Sequence, residues 1–293
     1  MNLAITFGAY VVGALMGVGV HRAGDWLKRG WPVYLRLQLV ATAALLGLFS
    51  AWRLTAAHQV VAPIVLACIG PVLLAVSDAT QGRRSHGLAQ LEGWAAFPNG
   101  TFWVLPVAGA LVGPGATALA ALTNAVYAAP NAVCIHLMRQ DAPHPQRPVT
   151  TWADQSMVLA VGAGLVLHLL GPAPAASHWV LVVAGPVLAF VGAALWTGSV
   201  LHPHNASVDR AVTDYARWAL FSAVRVALLS VIAVVTGSST VAVVAVLSAL
   251  GPPAFNPPQL AVLYGYRSGV VMVAVRWGWL FVPAGLVCAL FIR

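Results

Sequence analysis

The sequence is poor in charge. Only 8% of its 293 residues are Asp, Glu, Lys or Arg, and just seven are acidic. Soluble domains carry roughly 25% charged residues, so the deficit excludes an ordinary water-soluble domain. Cysteine is scarce as well. Cys68, Cys134 and Cys288 lie singly in apolar stretches without CxxC spacing. That excludes a disulfide framework or cysteine metal site and leaves them as small packing residues. No G-x-S-x-G, H-E-x-x-H or D-x-x-x-D pattern falls in an apolar run, and there is no Walker-type loop. An intramembrane enzyme is therefore not expected, and no cofactor is implied. The N-terminal MNLAITFGAYVVGALMGVGV lacks a positive n-region and a small-residue cleavage site, so it reads as a retained span rather than a signal peptide.

What is there is hydrophobic, at 60% of residues, with a formal net charge of +8. The basic residues sit in short loops with no aromatic-basic platform, which argues against nucleic acid. A membrane span needs about 20 mostly apolar residues. Ten segments qualify: 2–20, 33–52, 57–77, 87–111, 115–138, 153–171, 177–200, 214–236, 239–264 and 269–292. The expected fold is an all-α integral membrane protein of ten transmembrane helices. A polar linker over 139–152, containing DAPHPQRP, divides the chain into five-span groups, 1–138 and 153–293. Its prolines rule out membrane helix.

Loop charge sets the orientation. Arg22, Lys28, Arg29, Arg83, Arg84, Arg139, Arg147, Arg210 and Arg267 fall in or beside odd-numbered loops. VGPGAT, GPAPAASHW and TGSST are empty of Lys and Arg, and loop 2–3 holds only Arg53. Odd loops are expected in the cytoplasm and both termini outside, in a plasma membrane. Five spans per half is an odd number, so the halves enter the membrane in opposite senses. That is an inverted repeat, and a feature in span 4 should recur in span 9.

The recurring feature is a break. FPNG at 97–100 places Pro98, Asn99 and Gly100 inside span 4, and GPPAFNPPQ at 251–259 interrupts span 9. Asn99 and Asn256 stand 157 residues apart, close to the offset between halves. Proline inside a helix costs ~3 kcal/mol or more, and irregular backbone survives at membrane depth only where protein or a cavity satisfies it. Asn99-Gly100-Thr101 starts the second half of span 4, while Asn256 before Pro257 and Pro258 reads as N-cap and first turn. Two half-helix N-termini thus face one centre, each with unpaired N–H groups and about half a positive charge. Such ends bind carboxylate or phosphate. The asparagines can be caps alone, with the prolines as kinks; their paired occurrence favours a substrate site.

At these residues the chain resembles the auxin efflux carrier family, which includes the PIN-like transporters. PNGTFWVLPVAGALVG resembles that family's PNT and IP stretch. ALGPPAFNPPQLAVLYGY is similar to its second crossover, and SDATQGRR to its ADT and QK segment. The resemblance implies a scaffold domain and a mobile, elevator-like transport domain, with broken helices 4 and 9 crossing near the midplane. By motif position Asn99 and Asn256 take the substrate-contacting asparagines, and Asp78 with Gln81 a cytoplasmic-side support site.

Charges at membrane depth need a cavity or a partner. Arg225, near the centre of span 8, can attract an anion or pair structurally; Arg276 with Trp277 and Trp279 suits snorkelling. Glu92 can couple protons or pair with Arg84 at the cytoplasmic mouth. Asp154 closes a capping box, and His202 with His204 forms no metal cluster. Tyr127 can line the cavity or pack.

The expected function is a secondary active carrier of a small organic anion, a carboxylate, working by alternating access with H+ coupling or as a uniporter. A sodium-coupled bile-acid-type symporter is the alternative; few oxygen ligands for Na+ lie near FPNG. A channel would not need two matched breaks. Besides the anion, the expected partners are a proton, the lipid bilayer and, in a homodimer, a second copy.

Overall fold

A computed structural model describes residues 3–23, 25–54, 61–69, 99–127, 156–201, 223–224, 227–232, 234–251 and 282–293. The described residues are helical, with no strand among them. The elements are α1 (Leu3–Arg22), α2 (Asp25–Trp52), a π-helical turn (Gly100–Val104), α3 (Leu105–Val112), α4 (Pro114–Val126), α5 (Ser156–Leu170), α6 (Ser177–Leu201), α7 (Ser239–Ala249) and α8 (Val282–Ile292). Among the described residues, three stretches are long and apolar enough to cross a membrane: Leu3–Arg22, Val33–Trp52 and Ser177–Thr197. The 139–152 linker lies outside the described residues.

Small residues set the closest helix contacts. In α1, Gly13 lies against the Phe190 carbonyl of α6, and a methyl group at Gly17 would sit 2.9 Å from the Ala194 carbonyl oxygen. A step of four on α1 matches a step of four on α6 in the same sense, so the two helices run parallel. The sequence GALMG over 13–17 supplies the small-xxx-small spacing by which apolar helices approach closely, where lipid removes the usual hydrophobic drive. Helices α2 and α5 pair in the same way. Gly164 lies against the Leu48 carbonyl, and a methyl at Gly47 would sit 2.7 Å from the Met157 carbonyl oxygen. At the far end of this pair the Trp52 indole donates to the Gly171 carbonyl at 2.9 Å, and the Arg53 guanidinium donates to the Ser177 hydroxyl at 3.1 Å. The segments after α2 and before α6 therefore share one face of the molecule.

Helices α3, α4 and α7 pack on one another and α8 on α7, while α4 also packs on α2 and α3 on α6. Gly113, at φ 111°, turns the chain between α3 and α4 ahead of Pro114, a backbone region that L side chains rarely adopt. Helix α7 is buried over Val241–Ala249 and packs against α3, α4, α8 and the π-turn. Its start is capped by the Ser238 hydroxyl, which accepts from the Val241 N–H. Its end falls at Ala249, with Leu250 and Gly251 in bends ahead of Pro252; the residue before a proline is driven out of helical conformation. Helix α7 is thus 11 residues long. At 1.5 Å per residue that crosses only about half of a bilayer core of roughly 30 Å.

The outer surface suits lipid. On α1 Val11, Val12, Leu15 and Met16 are exposed, and on α5 Leu165, Val166, Leu169 and Leu170. Contiguous apolar stripes of this kind are rare on soluble monomers. Buried Thr123, Thr197 and Ser248 each donate to the carbonyl four residues earlier, which satisfies their hydroxyls inside their own helices.

Candidate ligand site at the broken helix

Asn99 starts the helix that the sequence places there. Its backbone sits outside helical conformation, at φ −72° and ψ 71°, and its side-chain oxygen accepts from the Phe102 N–H at 3.1 Å. Its backbone carbonyl accepts from both Trp103 and Val104 at 3.1 Å. One N–H of the first turn is thereby capped. The side-chain oxygen faces the helix, so the amide nitrogen Nδ2 faces away. That nitrogen has no hydrogen-bond partner among the described residues, although Asn99 is only 3% exposed. A buried unmet donor costs about 1–3 kcal/mol and calls for a partner.

The first turn is π-helical, where the sequence suggests plain α-helix. The Leu105 N–H reaches back to the Gly100 carbonyl, and Val104 to Asn99. Pro106 gives the physical reason. It has no N–H to offer the Phe102 carbonyl four residues earlier, and its ring crowds that turn. The widened turn removes the clash, and the Tyr10 hydroxyl of α1 donates to the Phe102 carbonyl. Single π-turns of this kind recur at functional sites. The Phe102 side chain fills the space left by Gly192 on α6, where a methyl would come within 2.5 Å of its Cβ.

A second polar side chain completes the site. Asn124, on α4, donates from Nδ2 to the Thr101 hydroxyl oxygen at 2.7 Å and to the Met157 thioether of α5 at 3.4 Å. Its side-chain oxygen sits over Gly100, 2.7 Å from where a Cβ would lie, so any side chain at position 100 would displace it. Sequence reasoning passed over Asn124. The available signal was an asparagine in an otherwise apolar span, in ALTNAVY, which by the cost of burying polar groups marks an internal contact. Tyr127, one turn later, is buried, and its hydroxyl donates to the Leu66 carbonyl at 3.1 Å. Of the two roles open to Tyr127, the structure describes the packing one.

The end of α7 reaches the π-turn. Gly251, next to Pro252, lies against the indole of Trp103 in the first break; a methyl there would sit 2.5 Å from Trp103 Cδ1. On its other side Trp103 packs near the Tyr10 ring, with centroids 6.4 Å apart. The structure thus gathers Asn99, Gly100, Thr101 and Asn124 beside the end of α7. Pro98, Asn256, Pro257, Pro258, Arg225, Asp78, Gln81 and Glu92 lie outside the described residues, as do Arg276 and Asp154.

What this arrangement presents is hydrogen-bond donors. The N–H groups of Gly100 and Thr101 open the helix, with the partial positive charge of its N-terminus behind them. No known family model matches the chain, and no curated protein or solved structure is similar to it at a significant level.

Proposed function

We propose that the chain is a secondary carrier of a small organic anion, a carboxylate, working across the plasma membrane by alternating access. The observation that carries this reading is the contact of Gly251, at the end of α7, with Trp103 in the π-turn, beside a buried Asn99 amide that has no partner among the described residues. Interrupted helices whose ends meet within the membrane are how transporters build a central site.

The helix pairing supports two inverted five-helix repeats within ten spans. α1 and α6 are spans 1 and 7; α5 and α2 are spans 6 and 2. Exchanging the halves turns the first pair into the second. Each pair runs as alternating loop charge requires. On this reading α1, α2, α5 and α6 form the scaffold, and the group containing α3, α4, α7 and α8 moves in an elevator-like step, as in the auxin efflux carrier family that the motifs resemble. Asn256, with Pro257 and Pro258, supplies the matching half-helix start. Arg225 attracts the anion, Asp78 and Gln81 form the support site, and Glu92 carries the proton where transport is coupled. Sodium coupling is disfavoured because the Asn99 side-chain oxygen is engaged by the Phe102 N–H and the Thr101 oxygen by Asn124.

Calorimetric titration of purified protein with acetate, benzoate and phenylacetate tests the site. The expected result is saturable, Na+-independent binding of at least one of them, weakened in Asn99→Ala by about ten- to a hundredfold, the usual worth of a hydrogen bond to a charged group. Binding unaffected by Asn99→Ala would place the anion elsewhere. Binding seen only with Na+ would favour the symporter.

A further inference from the structure

We infer that the π-turn is a latch, by which Tyr10 of α1 and Gly192 of α6 hold the moving helices in one end-state of the transport cycle. The inference rests on the carrier reading above for which helices move and which stay. Where those two sets touch, most of the facing surface is apolar. Helices α3 and α4 bury mainly alanine, leucine and valine, and they pack on α6 and α2. Apolar contact is non-directional, so such faces can slide past one another without leaving a polar group unpaired. Asn124 on Met157 Sδ also crosses this boundary, but a thioether is a weak acceptor.

The π-turn is different, because its contacts fix a register. The Tyr10 hydroxyl donates to the Phe102 carbonyl, joining residues 92 apart in the chain. That carbonyl is available because Pro106 offers no N–H four residues on. The Phe102 side chain lies in the notch at Gly192, where an added Cβ would come 2.5 Å from its Cβ and 2.8 Å from its Cγ. One turn along the same face of α6 stands Leu188 in one direction and Trp196 in the other. A shift of one turn, about 5.4 Å, would therefore drive the phenyl ring into a large side chain. Trp103 extends the grip to a second helix. Its ring centroid lies 6.4 Å from that of Tyr10, and Gly251, at the end of α7, lies against its indole. An elevator step must break the Tyr10 bond and lift Phe102 from its notch together. These two contacts then set how much of the protein rests in the latched state.

The test measures that occupancy. On a cysteine-free background, spin labels at Leu159→Cys of α5 and Phe291→Cys of α8, both exposed positions, report the separation of the two sets by double electron–electron resonance in nanodiscs. Tyr10→Phe removes only the hydroxyl. The wild type should be dominated by one distance. In Tyr10→Phe a second, discrete distance should gain about two- to tenfold over the first, the worth of one neutral hydrogen bond. Gly192→Val should raise the same second distance; where that variant does not fold, Tyr10→Phe alone decides. A distribution that is unchanged, or merely broadens about the wild-type distance, makes these contacts ordinary packing and overturns the latch. Wild-type carboxylate counterflow would then still uphold the carrier reading. The second distance appearing in a protein without counterflow upholds the latched motion and removes the carrier.

Discussion

Asn99 performs two tasks that substitution by alanine removes together. Its oxygen caps the helix through Phe102, and its nitrogen is left over. Aspartate separates them. Asn99→Asp keeps an oxygen for the cap, and a carboxylate suits a helix N-terminus. It replaces the donor with negative charge where an anion should bind. The expected outcome is a thermal midpoint close to wild type with carboxylate binding abolished. Asn99→Ala should lose both, including about 1 kcal/mol of stability. Equal carboxylate affinity in Asn99→Asp and wild type would reduce Asn99 to a cap. At this scale the sequence was partly legible. Proline, asparagine and glycine in a row mark a helix start by local chemistry alone, and the helix begins at Gly100. Asn124 was not legible, because its partner Thr101 is 23 residues away and the packing of α4 decides which face it turns. The π-turn also escaped. Pro106 announces an irregularity, but the distribution of the freed carbonyl depends on Tyr10, 92 residues earlier.

Among the elements, glycine contacts govern how closely helices approach. A Cβ added at Gly17 would lie 2.9 Å from the Ala194 carbonyl oxygen and the Thr197 Cβ, with backbone on one side, so a larger side chain has nowhere to go. Gly17→Leu should separate α1 from α6 and cost about 1–3 kcal/mol, as overpacking does. A thermal midpoint several degrees lower in detergent is the expected reading, and an unchanged midpoint would contradict this contact. Gly192 is more specific, because it receives Phe102 from the π-turn. Gly192→Val should push the broken helix away from α6 and slow transport more than it lowers stability. The comparison is between initial uptake rate and thermal midpoint on the same preparation. The GALMG spacing went unused in the sequence analysis, and it would not have named the helix that it faces, since small-residue spacing carries no address.

For the whole molecule, two helix pairings among the described residues are compatible in sense with the directions expected from loop charge. Alternating basic loops require span 1 to run parallel to span 7 and span 2 to span 6, and the registers of α1 on α6 and α2 on α5 do so. Arg53 bonded to Ser177 joins two segments that loop charge assigns to the same, outer side. On a cysteine-free background, an impermeant thiol reagent added from outside should modify Ser239→Cys and spare Ala142→Cys until the membrane is opened. The reverse pattern would invert the topology. Where transport is proton-coupled, Glu92→Gln should flatten its pH dependence while leaving binding measurable; an unchanged profile leaves Glu92 as a mouth residue. Loop charge carries an expectation about the relative directions of the spans because it is a sum over many residues. It says nothing about which spans touch, which side-chain volume decides.

The central claim is that one anion site is carried alternately to each side of the membrane. Solute counterflow tests it most directly, since a channel or a static binding site cannot produce it. Proteoliposomes loaded with an excess of unlabelled carboxylate, chosen as the tightest binder by calorimetry, are diluted into a trace of the labelled compound. The account predicts a transient accumulation of label above equilibrium, absent in Asn99→Asp and independent of Na+. Label that rises only to equilibrium, or overshoots equally in Asn99→Asp, would contradict it.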